Sequence, residues 1–203
     1  MPEVPRPAEG TLVVTGDPEA DHLLNTNPLA LMIGMLLDQQ VPIEWAFAGP
    51  FRLAQRLDGT LDTARIAAMD PEELAAVAAQ KPAVHRFPTM MGRRIHKLCE
   101  HLVDEYEGDP ASLWADTHDA EVLYKRLLAL PGYGPVKAQI FMSILAKRFD
   151  CQPSGWEAIA GVFASEDLRS VADLGDPGAL GRLREKRRSE KNRAEKSQGS
   201  DAG

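Results

Sequence analysis

Residues 127–141 read Leu-Leu-Ala-Leu-Pro-Gly-Tyr-Gly-Pro-Val-Lys-Ala-Gln-Ile-Phe, and this stretch decides the fold. A helix-periodic run that starts at the capping residue Asp119 carries Val122, Leu123, Leu127 and Leu128 on one side and stops at Pro131. A second run starts at Pro135, where the missing N–H would have no internal partner anyway, and buries Ala138, Ile140, Phe141, Ile144 and Leu145. Between the two, Gly132 and Gly134 flank Tyr133. Glycines so close together permit backbone angles closed to other residues and leave amides uncovered. The first amides of the second helix also lack internal acceptors. Bare amides at a helix N-terminus make a phosphate-sized anion site, to which Lys137 adds a charge. Ala138 lets the helices approach closely, and Leu130 and Tyr133 anchor the turn. The plain alternative is an ordinary helix–turn–helix corner punctuated by Gly and Pro.

Working outward, Asn27 and Pro28 form a cap and first position for Leu29–Leu37, an apolar run nearly all round and therefore expected to be buried on most sides. It ends at Asp38–Gln39–Gln40. Ile43–Phe47 and Phe51–Leu57 read as two helical pieces broken by Gly49–Pro50. Asp70–Pro71–Glu72–Glu73 is a helix start of cap, proline and acids. Arg93–Tyr106 places Ile95, Leu98, Cys99, Leu102, Val103 and Tyr106 on one stripe, closed by Gly108–Asp109–Pro110. Trp156–Phe163 gives a further helix, and Leu180–Lys196 is helix-compatible but almost wholly charged after Leu183. No convincing strand pattern and no internal repeat is present. The expected fold is all-α, organised as an extended N-terminal segment 1–26, a helical domain 27–175 and a charged, flexible tail 176–203.

With 203 residues, 44% of them hydrophobic, the chain can build one sizeable core or two small lobes. Its two cysteines make no disulfide framework, fit a reducing cytoplasm and cannot supply the four thiolates of an iron–sulfur cluster. His85, His96, His101 and His118 do not combine with them into a compact ligand set, so no side-chain metal site is expected. The longest apolar run, Leu29–Leu37, falls short of the about 20 residues a membrane span needs, and Met1–Gly10 has no signal pattern. These features point to a soluble cytoplasmic protein without a membrane partner. The net charge of −7 weighs against nucleic acid, but its distribution softens that objection. Between Arg182 and Lys196 eight Lys/Arg face three Glu, leaving this segment five positive and the remainder twelve negative. A local basic footprint is what DNA requires.

The stretch Leu-Pro-Gly-Tyr-Gly-Pro-Val-Lys-Ala resembles the hairpin of the helix-hairpin-helix-GPD DNA glycosylases, the superfamily of endonuclease III, the MutY adenine glycosylase and the alkylbase glycosylases. Asn27–Gln40 is similar to that family's buried helix and its Gln-containing turn, and Gly92–Gly108 to its arginine-bearing helix. Together they span about Asn27 to Trp156 in the family's order. The resemblance implies two helical lobes, double-stranded DNA bound across the cleft between them by a monomer, and a target nucleotide flipped out of the duplex. It implies a base-excision repair protein associated with the nucleoid. Gly132, Tyr133, Gly134 and Lys137 would grip the backbone, with a monovalent cation at the hairpin and no other cofactor, and Gln39 or Gln40 would enter the vacated stack. Trp156 would be a candidate for stacking on the flipped base, while Trp45 and Trp114 are expected in packing roles.

The sequence departs from the family's pattern at both catalytic positions. The essential aspartate falls on Ser154, and the nucleophilic lysine of bifunctional members falls on Val136. Lys137, one residue on and about 100° around the helix, is expected to point away from that pocket. Asp150 and Asp38, with Glu157, are the carboxylates left to act in place of the missing one. Three readings therefore stand: a monofunctional DNA N-glycosylase, a glycosylase-like protein that binds distorted DNA without cutting it, and a helical protein-interaction domain that uses the hairpin as a corner.

Overall fold

We describe a computed structural model, which covers residues 9–200, with side chains through Arg193. The expectations for residues 1–8 and 201–203 lie outside the described residues. Ten α-helices follow in order: α1 Pro18–Thr26, α2 Pro28–Leu37, α3 Ile43–Arg56, α4 Thr63–Ala67, α5 Pro71–Ala79, α6 Pro88–Tyr106, α7 Ala120–Ala129, α8 Pro135–Arg148, α9 Trp156–Ala160 and α10 Ala179–Ser200. Short 3-10 turns lie at Pro110–Leu113, Gly161–Ala164 and Val171–Asp173. Among the described residues the one β-type pairing is an isolated bridge between Asp119 and Ser154, so the fold is all-α. No helix among them is long and apolar enough to cross a membrane.

Local chemistry starts these helices where the chain must turn. The carboxylate or amide oxygens of Asp17, Asn27, Asp62, Asp70 and Asp119 each accept from first-turn amides that have no partner inside the helix. Proline occupies the opening positions of α1, α2, α5, α6 and α8. α2 has every residue from Leu29 to Leu37 buried. Helices α1, α3 and α6 pack on it, with α4 and α5 packed in turn on α6; α7, α8 and α9 pack on one another, and the turn before α8 and its first residues bond to α2. The buried side chains of both groups merge into one continuous cluster. A row of edge-to-face rings, Trp114–Phe141–Tyr133, runs through the α8 side.

Three sequence expectations need correction. Residues 1–26 do not read as wholly extended, because α1 forms at Asp17–Pro18–Glu19, a cap, proline and acid like those that start α5. Leu12 and Val14 ahead of it are buried, and this segment is tied to the rest of the chain by Thr11 N–H to Arg148 O (3.1 Å) and Val13 N–H to Leu174 O (3.0 Å). Nor does Gly49–Pro50 break the third helix. α3 runs through Pro50, which forfeits a helical bond, because Phe47, Gly49 and Pro50 are all buried and Phe47 fits against Gly34 of α2. Finally, the charged segment expected to be a flexible tail is helical over Ala179–Ser200, and α10 is rooted in the core by Ala179 and Leu183.

The C-terminal part of the domain is clamped to α8 by a shielded ion pair. Lys147 Nζ lies 2.6 Å from Asp173 Oδ1, with the side chains only 13% and 7% exposed. The other oxygen of Asp173 accepts from the amides of Arg169 and Ser170. Asp173→Ala would strand the buried ammonium, so chemical denaturation should show a loss of roughly 3–5 kcal/mol. The double variant Asp173→Asn/Lys147→Met, which keeps an acceptor for the Arg169 and Ser170 amides, should recover much of it.

Candidate functional site

Three pieces of chain meet at one end of α2. They are its last turn with Asp38–Gln39–Gln40, the turn and first residues of α8, and the segment Val84–Phe87 before α6. Tyr133 donates its hydroxyl to Met32 O at 2.9 Å, and Lys137 donates Nζ to Leu36 O at 2.6 Å. Leu36 O is one of the terminal carbonyls that α2 cannot satisfy internally, so Lys137 acts as its cap. Gly132 has φ +83°, and a Cβ there would lie 2.4 Å from Leu36 Cδ1; both the left-handed backbone and the close approach require glycine.

The opposite side of the same turn is open. Gly134, the residue before α8, offers no side-chain cap, and a Cβ built on it would meet nothing within 4 Å. Val136 beside it is 58% exposed. The amides of Gly134, Val136 and Lys137 therefore stand at an uncovered helix N-terminus.

Beneath that opening lie ionisable groups that shift one another. Burial pushes the Lys137 amine down to about 8, with Asp38 opposing and Arg94 adding to the shift. Burial also raises the Asp38 carboxyl, against the pull of Lys137 and Arg187. Among the described residues Asp38 and Lys137 make no direct ion pair within 4.0 Å. His85 is buried and its role is fixed by its partners. Phe87 N–H donates to Nδ1 (3.1 Å), so Nε2 carries the proton and donates to Gln39 O (2.9 Å). Burial lowers its pKa, keeping the ring neutral. Gln39 turns its amide inward to Leu36 O and Met91 Sδ, whereas Gln40 is exposed with φ +55°.

The structure thus unites Gly132, Tyr133, Gly134, Lys137, Gln39, Gln40 and Asp38. Lys137 directs its side chain to the end of α2, while its neighbour Val136 is exposed. Asp150 is not part of this group. It follows the far end of α8, and the eleven helical steps from Lys137 to Arg148 span about 16 Å. Ser154 is held by its backbone, donating to His118 O and accepting from Ala120 N–H, and Glu157 is exposed on α9. Trp156 is 8% exposed and packed in the core. It lines a separate cavity of about 300 Å³ with Lys147, Gln152 and Asp173. Sequence reading missed His85, Arg94 and Arg187 as members of the site, because their partners are distant in sequence and only the packing of α6 and α10 brings them in.

Chemically, an amine brought near neutrality is partly unprotonated and nucleophilic, and a carboxyl held out of water can exchange protons or stabilise a developing cation. No group of three or more His, Cys, Asp or Glu among the described residues could hold a metal ion. Compared with known proteins, the chain matches no protein-family model, no curated protein and no solved structure.

Two pH windows follow. Lys137 binds its proton less tightly when folded (about 8) than when unfolded (10.5), so stability should rise with pH between these values. Urea unfolding of Lys137→Met should show a flatter profile there. The lowered pKa of His85 works in the same sense below 6.5: stability should fall as pH drops through the folded value, and His85→Gln should remove that loss.

Proposed function

We propose that this chain binds damaged duplex DNA and excises a modified base, as a divergent, two-lobed glycosylase-like protein of the helix-hairpin-helix-GPD kind acting as a monomer in the cytoplasm at the nucleoid. The observation that carries the reading is the uncovered amide cluster at Gly134–Lys137, on the same turn whose Lys137 side chain reaches the end of α2 next to Asp38. The amides suit a backbone phosphate, which needs donors and no bulk. Asp38, in its ionised form, suits the positive charge that develops on the sugar as an N-glycosidic bond breaks. Gln40, which is exposed, would fill the space a flipped nucleotide leaves.

Among the described residues the carbonyls of Pro131, Gly132 and Tyr133 accept no hydrogen bond. That donor set fits a monovalent cation, which would add positive charge beside the phosphate. The grip described above comes from the chain's own amides.

A second reading, a lesion-binding protein without excision, is favoured by one observation: the position expected to bear the essential aspartate is Ser154, tied into a backbone bridge away from Lys137.

Two substitutions separate binding from chemistry. Gly134 has an extended conformation (φ −109°) and open space, so Gly134→Val should leave the unfolding midpoint nearly unchanged. If a phosphate sits there, duplex affinity should drop about tenfold, near the value of one charge-assisted hydrogen bond. Asp38→Asn should keep binding and abolish alkali-labile sites on duplexes carrying uracil, alkylated, oxidised or mismatched bases. Tight binding by the unaltered protein with no such sites on any duplex would replace the first reading by the second.

A further inference from the structure

The basic helix α10 has no part in the grip described above, yet it stands beside the same opening. Its root is fixed: Ala179 and Leu183 are buried, the Arg184 guanidinium bonds Glu44 at the start of α3, and Arg187 donates to Arg169 O at 3.2 Å. Glu44 lies six residues beyond Asp38, in the helix that follows the Asp38–Gln40 turn, and the Arg187 charge acts on the Asp38 carboxyl. A line of neighbours therefore joins the open amides to α10.

Beyond Leu183 every described residue of α10 except Lys186 is exposed, so the helix leaves the body of the protein. The 17 residues from Arg184 to Ser200 extend about 25 Å, the length of roughly seven base steps. At about 100° per residue, Arg184, Arg187, Arg188 and Lys191 fall within about 100° of arc, next to the face that carries Ala179 and Leu183. Arg182, Lys186 and Arg193 fall on a different arc, where Arg182 pairs with Asp176 and Lys186 lies 3.8 Å from Asp167. In a chain of net charge −7, four cations on one projecting stripe beside the opening are a local exception.

We propose that the Arg184–Arg187–Arg188–Lys191 stripe of α10 follows the phosphate backbone of duplex DNA held at the Gly134–Lys137 amides. The inference rests on the DNA-binding reading above and adds to it a second, sequence-independent contact surface. The helix supplies affinity and steering, and the turn supplies position.

The test compares two variants of the full chain that remove equal charge. Arg188→Gln/Lys191→Gln takes two cations from the stripe; Arg182→Gln/Arg193→Gln takes two from the other arc. All four positions are exposed, and thermal melting checks that both variants remain folded. Binding to an undamaged 20-base-pair duplex is measured across a salt series. The stripe variant should lose about tenfold in affinity at 0.1 M salt and lower the slope of log K against log salt by about 2, near 0.9 per lost phosphate contact. The control should keep the slope of the unaltered protein. Equal slopes for the stripe variant and the unaltered protein would overturn the role of α10 while leaving DNA binding intact. Equal losses in both variants would reduce it to a net-charge effect and also overturn it. Failure of the unaltered protein to bind duplex would overturn both readings. Loss of binding to phosphatidylserine vesicles with duplex affinity unchanged would assign the stripe to a membrane surface instead and overturn the proposal.

Discussion

The turn from Pro131 to Gly134 rests directly on the last turn of α2, and the rest of the molecule is arranged around that contact. It needs an absence, the missing side chain at Gly132, and two hydrogen bonds, from Tyr133 to Met32 O and from Lys137 to Leu36 O. These link residues 101 positions apart in the chain. Because α2 is buried along its whole length, a helix seated on its end is fixed against the core rather than against a surface loop. The open amides on the outer side of the turn inherit that rigidity.

Fixing the turn also fixes the electrostatics beneath it. Lys137 must be drawn out of water to reach Leu36 O, and the same enclosure that depresses its amine raises the Asp38 carboxyl. Neither group is tuned separately; both shifts come from packing the start of α8 onto the end of α2. His85 supports the arrangement from a third side, holding Gln39 through its carbonyl and Phe87 through its amide. The site is therefore a by-product of how three chain segments are brought to one place, which is the usual way buried ionisable groups acquire unusual proton affinities.

Much of this was readable in the sequence where the signal is local. Caps followed by proline, the apolar run Leu29–Leu37 and the stripe of α6 each declare themselves within a few residues, and so does the Gly-Tyr-Gly turn. What was not readable depends on distant partners. Pro50 breaks a helix in isolation, but Phe47 against Gly34 supplies packing that outweighs the lost bond. The capping role of Lys137 could not follow from a helical wheel, because its carbonyl partner lies 101 residues away in the chain. Asp150 and Trp156 looked plausible from their closeness in sequence to the missing aspartate, whereas helix length removes the first from the site and the core absorbs the second. Arg184 pairs with Glu44 from the other end of the chain, which no local pattern encodes.

The double duty of Lys137 has a consequence for reactivity. An amine that serves as the cap of a helix cannot attack anything until it lets go of Leu36 O, and letting go leaves that carbonyl with only the longer 3.4 Å bond from Gln39 Nε2. Small electrophiles that drift into the opening bring nothing to replace that bond and meet an occupied amine. A large ligand spanning the turn could displace the side chain and satisfy the carbonyl at the same time. The cap thus works as a safety catch, keeping a reactive nitrogen idle until something of the right size and polarity releases it.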